Sequence, residues 1–451
     1  MENKRGSFTG RIGFVFAAAG SAVGLGNLWR FPYLAAKYGG GIFLLVYIIL
    51  AVTFGFALMM AEISIGRKTG KSPIAAYGAL NKKWGFLGTI TSIVPMIILP
   101  YYCVIGGWVV KYMAVFTTGQ GKAAAADDFF AHFIAKPGEP IVWLLIYIAL
   151  TAIIVMLGVD KGIEKFSKVL MPFLVMLSIG IAIYTFTLDG IGAGIKYYFM
   201  PDINKFSVMT VLAALGQLFY SMSISMGILI TYGSYMPKDT SIEKSVHQIE
   251  IFDSGIAIIA GLIIVPSAFV YTGGGAGMNE KGAGLMFEML PKIFDTIPFG
   301  NVLGAVFFVL VFFAALTSSI SLMEAVVAII QDKLHWKRTT ICLLVVVACV
   351  VLAVPSSLGY GMWSGVKILG LSILDFFDFV SNSVIMPIVA ILTCIFVGYV
   401  IKPKTLSEEI AIGGKFKSEG LFTVIIKYIA PVCILAILIS SVLDGLGIIK
   451  I

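Results

Sequence analysis

Apolar runs, each long enough to cross a bilayer core as a helix, recur along the chain and are separated by short stretches rich in charge, glycine and proline. Boundaries placed at those stretches predict eleven helices, over residues 11–36, 41–66, 85–115, 141–158, 166–187, 206–235, 247–271, 300–331, 339–355, 371–400 and 420–444. Two of them depart from the uniform pattern. The first is interrupted between Ala22 and Asn27, within Gly20-Ser21-Ala22-Val23-Gly24-Leu25-Gly26-Asn27, and the sixth by Ser221-Met222-Ser223-Ile224-Ser225-Met226-Gly227. Interruptions at equivalent places in two five-helix halves predict inverted repeats, residues 1–187 and 206–400, with a further helix in 420–451. Amides and carbonyls freed at membrane depth are costly unless protein, water or a ligand satisfies them, so such breaks invite ligands.

Composition fixes the class. With 59% hydrophobic and only 12% charged residues in 451, and no polar segment long enough for a soluble domain, the chain reads as an all-α integral membrane protein. Its net charge of +8 lies in short loops rather than on one basic face, which argues for membrane topology and against nucleic acid. Basic residues such as Lys4, Arg5, Arg67, Lys68, Lys161, Lys165, Lys337 and Arg338 fall on alternate loops, which predicts a cytoplasmic N-terminus; an odd number of spans then puts Ile451 outside. The first apolar run lacks a small-residue cleavage site and is not expected to be a removed signal. The five cysteines show no metal-site spacing. His132, His247 and His335 fall in loops or at their edges, and with no nucleophile–base constellation an enzyme is not expected.

Single residues then discriminate. Gly20 and Gly24 alone read as a helix-packing seam, but Asn27 and Arg30 follow in the same span, and an unpaired arginine there is too costly for mere packing. Asp253, inside the seventh span, reads as buried rather than solvated. Glu62, in the second span, has no partner identifiable in the sequence and is expected to brace the broken first helix. Thr317-Ser318-Ser319 alone reads as hydroxyls bonded back to their own helix or joining neighbouring helices.

The motif Gly20 to Asn27 continued by Leu28-Trp29-Arg30-Phe31-Pro32, with Gly39-Gly40-Gly41, resembles the first helix of the neurotransmitter:sodium symporter family. Gly216-Gln217-Leu218-Phe219-Tyr220-Ser221, Ala315-Leu316-Thr317-Ser318-Ser319 and Asp375-Phe376-Phe377-Asp378 extend the resemblance over nearly the whole chain. It implies a LeuT-type fold and two sodium ions. One sodium would use the Ala22 carbonyl, Asn27, Ser221 and Asp253, together with the substrate carboxylate; the other, the carbonyls of Gly20, Val23 and Ala314 with the Thr317 and Ser318 hydroxyls. Asp253 replaces an asparagine common among relatives, and Ala257 lacks the hydroxyl that chloride-dependent members place beside their anion, so no chloride requirement is expected.

The same resemblance implies that the Leu25 and Gly26 amides and the Tyr102 hydroxyl hold a substrate carboxylate, and that the Ala22, Tyr220 and Ser221 carbonyls and the Ser223 hydroxyl hold its ammonium. Gly24 stands where monoamine carriers have an aspartate, which favours an amino acid. Ile98, Tyr102, Tyr220, Met226, Ser318 and Leu322 would line an uncharged pocket suited to a hydrophobic side chain, aliphatic or aromatic, and Ser225 would narrow one wall. Arg30 with Asp378 resembles an outer gate and Arg5 with Asp332 an inner one near Ser234 and Tyr235, while Gly162 and Pro172 mark a weak point in the fifth helix. The expected function is sodium-coupled import of a neutral L-amino acid through the cytoplasmic membrane, with a homodimer left open. The alternative is an amino-acid sensor or channel-like protein on the same scaffold, although a channel needs a continuous polar pore rather than two midspan breaks between charged gates.

Overall fold

The computed structural model describes residues 6–274, 283–445 and 448. Nine of its helices are long and apolar enough to cross a membrane, among the described residues, and a bent pair makes a tenth span. We number the spans in chain order. The bent pair is α1a (Arg11–Ala22) and α1b (Gly26–Lys37), inclined by 53° to one another. There follow α2 (Gly41–Thr69), α3 (Lys82–Thr117), α4 (Glu139–Met156) and α5 (Val159–Thr185). The sixth is again divided, into α6a (Val208–Ser221) and α6b (Ile228–Ser234). The last five are α7 (Ile242–Tyr271), α8 (Gly300–Leu334), α9 (Arg338–Leu358), α10 (Ile373–Val400) and α11 (Glu419–Gly445).

A helix or divided helix lies at each of the eleven expected positions, with shifted ends; ten of them pass as membrane spans among the described residues, and the divided sixth is shorter. α7 begins five residues earlier than expected because Ser241 accepts a hydrogen bond from the Lys244 amide at 3.4 Å and caps it there, which places His247 inside the helix rather than at its edge. α5 begins at Val159 instead of 166, after Gly158, whose φ of +92° suits glycine. The connections expected as plain loops carry short helices, Pro73–Leu80, Phe129–Ala135, Ile191–Phe199, Leu290–Thr296 and Pro403–Ile412, too short for a span-length hydrophobic window to reveal.

Packing sorts side chains inward or towards lipid. On α5, Met171, Leu174, Ser178 and Ile181 are buried, while Phe173, Met176, Ile179 and Ile183 are exposed, the pattern of a helix with one protein-facing and one lipid-facing side. α3 and α8 lie along one another, and α6b lies against α2. α1a runs between α5, α7 and α8, so the first break falls in the middle of the molecule.

Candidate functional site

At the first break, α1a ends at Ala22 and Val23 turns into an extended conformation (φ −71°, ψ 98°) before α1b begins at Gly26. At the second, Ser223 and Ser225 adopt left-handed backbone, φ +54° and +64°, ahead of Gly227 at +73°. Two non-glycine residues in that region cost on the order of 1–2 kcal/mol each, so their surroundings must hold them. Ser223 is tied to the first break: its Oγ donates to the Ser21 carbonyl at 3.1 Å and lies 3.0 Å from Ser21 Oγ. The Ser225 amide donates to Glu62 Oε1 at 2.7 Å.

Two expectations are corrected here. Glu62 braces the sixth helix and not the first, because its turn of α2 packs beside α6b. Ser225 does not line the cavity described below; it is fully buried, its conformation turned to the amide bond with Glu62.

Between the breaks lies one cavity, and all eleven residues expected to contact the substrate line it: Ala22, Leu25, Gly26, Ile98, Tyr102, Tyr220, Ser221, Ser223, Met226, Ser318 and Leu322. Ser21, Gly24, Asn27 and Ile228 complete the lining. Among these, Ser21 and Ile228 had not been singled out in the sequence, although Ser21 lies inside the opening motif and Ile228 directly follows the second break. The Tyr102 hydroxyl is buried at the cavity wall, beside the Ser318 hydroxyl and the Leu25 backbone. Gln217, quoted in the sequence only as part of a motif, donates from Nε2 to the Gly26 carbonyl at 3.1 Å and pins the start of α1b.

Residues of both sets expected to hold a cation lie within hydrogen-bonding reach of one another. Asn27 Nδ2 donates to Asp253 Oδ1 at 2.7 Å, Ser221 Oγ donates to Asp253 Oδ2 at 3.0 Å, and Asn27 Oδ1 accepts the Gly24 amide at 3.1 Å. Asn27 and Asp253 are fully buried. On the other side of α1a, Ser318 Oγ reaches the carbonyls of Gly20, Ser21 and Val23 at 3.2, 3.1 and 3.4 Å, and Thr317 Oγ1 donates to the Ala314 carbonyl at 3.1 Å. The first set carries a carboxylate and the second none. The carbonyl, hydroxyl and carboxylate oxygens in these sets are ligand types that a hard cation takes.

Above the cavity opens a vestibule of about 430 Å³ lined by Arg30, Tyr220 and Asp378. Arg30 and Asp378 face this space without an ion pair between them: the Arg30 guanidinium lies over the Tyr220 ring, 5.2 Å from its centre, while Asp378 Oδ1 accepts from Asn382 Nδ2 at 2.6 Å. At the opposite end the N-terminal strip is fastened to the end of α6b. The Phe8 amide donates to the Tyr235 carbonyl at 3.1 Å, and Tyr235 Oη donates to Glu324 Oε1 at 2.8 Å; Glu324 also pairs with Arg338. Of the expected inner pair, Arg5 lies outside the described residues, and Asp332 Oδ2 accepts from the Ser72 amide at 2.8 Å and its hydroxyl at 2.7 Å, capping the helix Pro73–Leu80. Gly162 packs against the Ile154 carbonyl with no room for a Cβ, and Pro172 sits inside the following helix.

The model of the sodium:neurotransmitter symporter family matches residues 5–126 and 125–446. An uncharacterised sodium-dependent transporter, YhdH of Bacillus subtilis, is 33% identical, the match covering 98% of each chain. A sodium- and chloride-dependent glycine transporter 2 of Xenopus laevis is 24% identical, covering 97% of this chain and 64% of its own. Among solved structures, MhsT in complex with L-phenylalanine superposes with a TM-score of 0.87 at 37% identity, covering 97% of this chain and all of MhsT.

Proposed function

The chain belongs to the sodium:neurotransmitter symporter family and is a sodium-dependent, multi-pass membrane transporter with the LeuT-type fold, and on that premise we propose that it imports a hydrophobic L-amino acid with two sodium ions. The observation that carries this reading is the cavity between two helix breaks, bounded by a carboxylate-bearing cluster of oxygens on one side and an uncharged one on the other. The Leu25 and Gly26 amides and Tyr102 take the substrate carboxylate; the freed carbonyls of the sixth helix and Ser223 take its ammonium. Ile98, Met226, Ile228 and Leu322 leave an apolar chamber for the side chain, with no charge to pair a lysine or glutamate. The phenylalanine bound to MhsT supports that class.

One sodium sits with Ala22, Asn27, Ser221, Asp253 and a substrate oxygen, the other with Gly20, Val23, Ala314, Thr317 and Ser318. Because the first ion and the substrate share a bond, each favours the other, and linkage makes that coupling reciprocal. Residues 1–187 and 206–400 form the two inverted repeats, with the N-terminus cytoplasmic and the vestibule outside. Arg30 and Asp378 close over Tyr220 once substrate is seated. Proteoliposomes carrying an inward sodium gradient should accumulate phenylalanine, with leucine, tyrosine and tryptophan competing; best competition by glutamate, lysine or a monoamine would overturn the pocket assignment.

Asp253 brings a fixed negative charge to the first cation set, and we infer that transport needs no chloride, unlike the glycine transporter named for both ions. Uptake is therefore expected to be equal in chloride and in gluconate, and a severalfold loss in gluconate would refute it. At the hinge, Pro172→Ala restores a backbone donor and lets α5 wind continuously past its weak point. Transport should slow while sodium-dependent substrate binding holds; a parallel fall in both would remove the hinge from the mechanism.

A further inference from the structure

The inner seal contains a carboxylate that the ion and substrate sites do not use. Glu164 ends the first turn of α5, the turn that starts at Gly158 and in which the Gly162 and Ile163 amides both donate to the Gly158 carbonyl at 3.1 Å. Its side chain is almost completely buried, and three donors surround it. Oε2 accepts the Thr9 amide at 2.8 Å, Oε1 accepts the Thr9 hydroxyl, and Lys168 Nζ approaches Oε1 at 2.6 Å. Thr9 lies two residues before α1a, whose Gly13 leaves the space that the Glu164 carboxylate fills; a Cβ on Gly13 would overlap it. The same N-terminal strip is fastened on its other side to the end of α6b, where Ser7 Oγ and the Phe8 amide both donate to the Tyr235 carbonyl.

We propose that Glu164 is a positioning residue of the transport cycle: it latches the N-terminal strip to the hinge turn of α5, so that unwinding of that turn and opening of the inner seal are one event. The strip spans α5 and α6b, and its α5 attachment sits on the turn that precedes Pro172. If residues 158–164 unwind, Glu164 leaves with them, and Thr9 loses both bonds at once. While the turn stays wound, a buried charge-assisted cluster holds the strip down, and the seal opens with low probability. The inference rests on the reading of the chain as an alternating-access carrier.

The test uses the purified full-length protein with its native cysteines replaced by alanine and a reporter at Ser167→Cys, a buried position three residues past Glu164. Its reaction with a hydrophilic thiol reagent reads opening of the inner half. Glu164→Gln keeps the shape, weakens acceptance from Thr9 and leaves Lys168 without its counter-charge. Gly13→Ala reaches the same end without touching Glu164, by displacing its carboxylate. Each should raise the labelling rate in sodium roughly tenfold, the factor that loss of about one charge-assisted hydrogen bond corresponds to. Thr9→Val, which keeps the backbone bond, should raise it less. In both strong variants the apparent KM for sodium should rise through depletion of the sealed state, a shift that loss of fold stability alone does not produce in protein that still binds. Wild-type labelling rates in both folded variants would overturn the latch. Sodium failing to slow labelling of the otherwise unchanged reporter protein would instead overturn the carrier reading itself, so the two failures are separable.

Discussion

Asp253→Ala is expected to abolish sodium-dependent uptake, with sodium affinity falling by roughly 100-fold or more. The carboxylate accepts from Asn27 Nδ2 at 2.7 Å and from Ser221 Oγ at 3.0 Å, in a site where both Asn27 and Asp253 have no solvent contact. Removing it takes one acceptor from each of two buried donors, which keep only the Asp253 and Leu218 backbone carbonyls, and withdraws the one formal negative charge among the four expected ligand residues. Two hydrogen bonds to a charged group contribute together about 3 kcal/mol or more, which is about two powers of ten in a binding constant. Asp253→Asn separates the two terms, since it keeps the shape and one acceptor but deletes the charge. Its sodium affinity should lie between that of the wild type and that of the alanine variant. Sodium titrations of substrate binding check the order, and an alanine variant with wild-type sodium affinity would remove Asp253 from the cation site.

On the proposed reading, the two cation sets would also explain how one broken helix couples ions to a solute. α1a ends where its last carbonyls and those of the break point outward, and the structure divides them: Gly20 and Val23 face Ser318 on α8, while Asn27 turns towards Asp253 on α7. Ser318 also lines the substrate cavity, so one hydroxyl is common to the cavity and the uncharged set. On the proposed reading, substrate and both ions would act on the same few residues of backbone, and a shift of α1a would alter all three sites together.

Much of this was legible in the sequence because it follows from residues whose cost has no bland explanation at membrane depth. The breaks at Ala22–Asn27 and Ser221–Gly227, and the chemistry of Asn27, Arg30 and Asp253, fall in that class, and the spans follow from hydrophobic length alone. What stayed hidden depends on which helices meet. Glu62 gave no sign that it faces Ser225, because nothing in a uniform apolar helix says which neighbour packs on which face. The role of Ser225 was misjudged for a related reason: the sequence reports that a serine is there, but not the φ of +64° that turns it from the cavity. Gln217 and Glu164 were overlooked as single residues because each acts on a backbone group more than a hundred positions away, on Gly26 and on Thr9.

Gly24→Ala should cost almost as much as Asp253→Ala, through space instead of charge. A Cβ on Gly24 would stand 2.8 Å from Ser318 Oγ and 3.2 Å from the Tyr102 hydroxyl, the first closer than real Cβ contacts come. Neither neighbour can yield freely. Ser318 Oγ is held by the Gly20, Ser21 and Val23 carbonyls, and Tyr102 is buried on α3. Overpacking of this kind costs about 1–3 kcal/mol, and here it falls on the hydroxyl expected to meet the substrate carboxylate and on one shared with a cation site. Substrate affinity should drop roughly 10- to 100-fold, with sodium affinity falling alongside it. The double variant Gly24→Ala with Ser318→Ala identifies the cause. If the clash with Ser318 Oγ is responsible, removing that oxygen relieves it, and the double variant binds substrate better than the product of the two single losses predicts. Multiplicative losses in that cycle would show that the methyl group acts elsewhere, and the close approach of Gly24 to Ser318 would no longer account for glycine at the centre of the break.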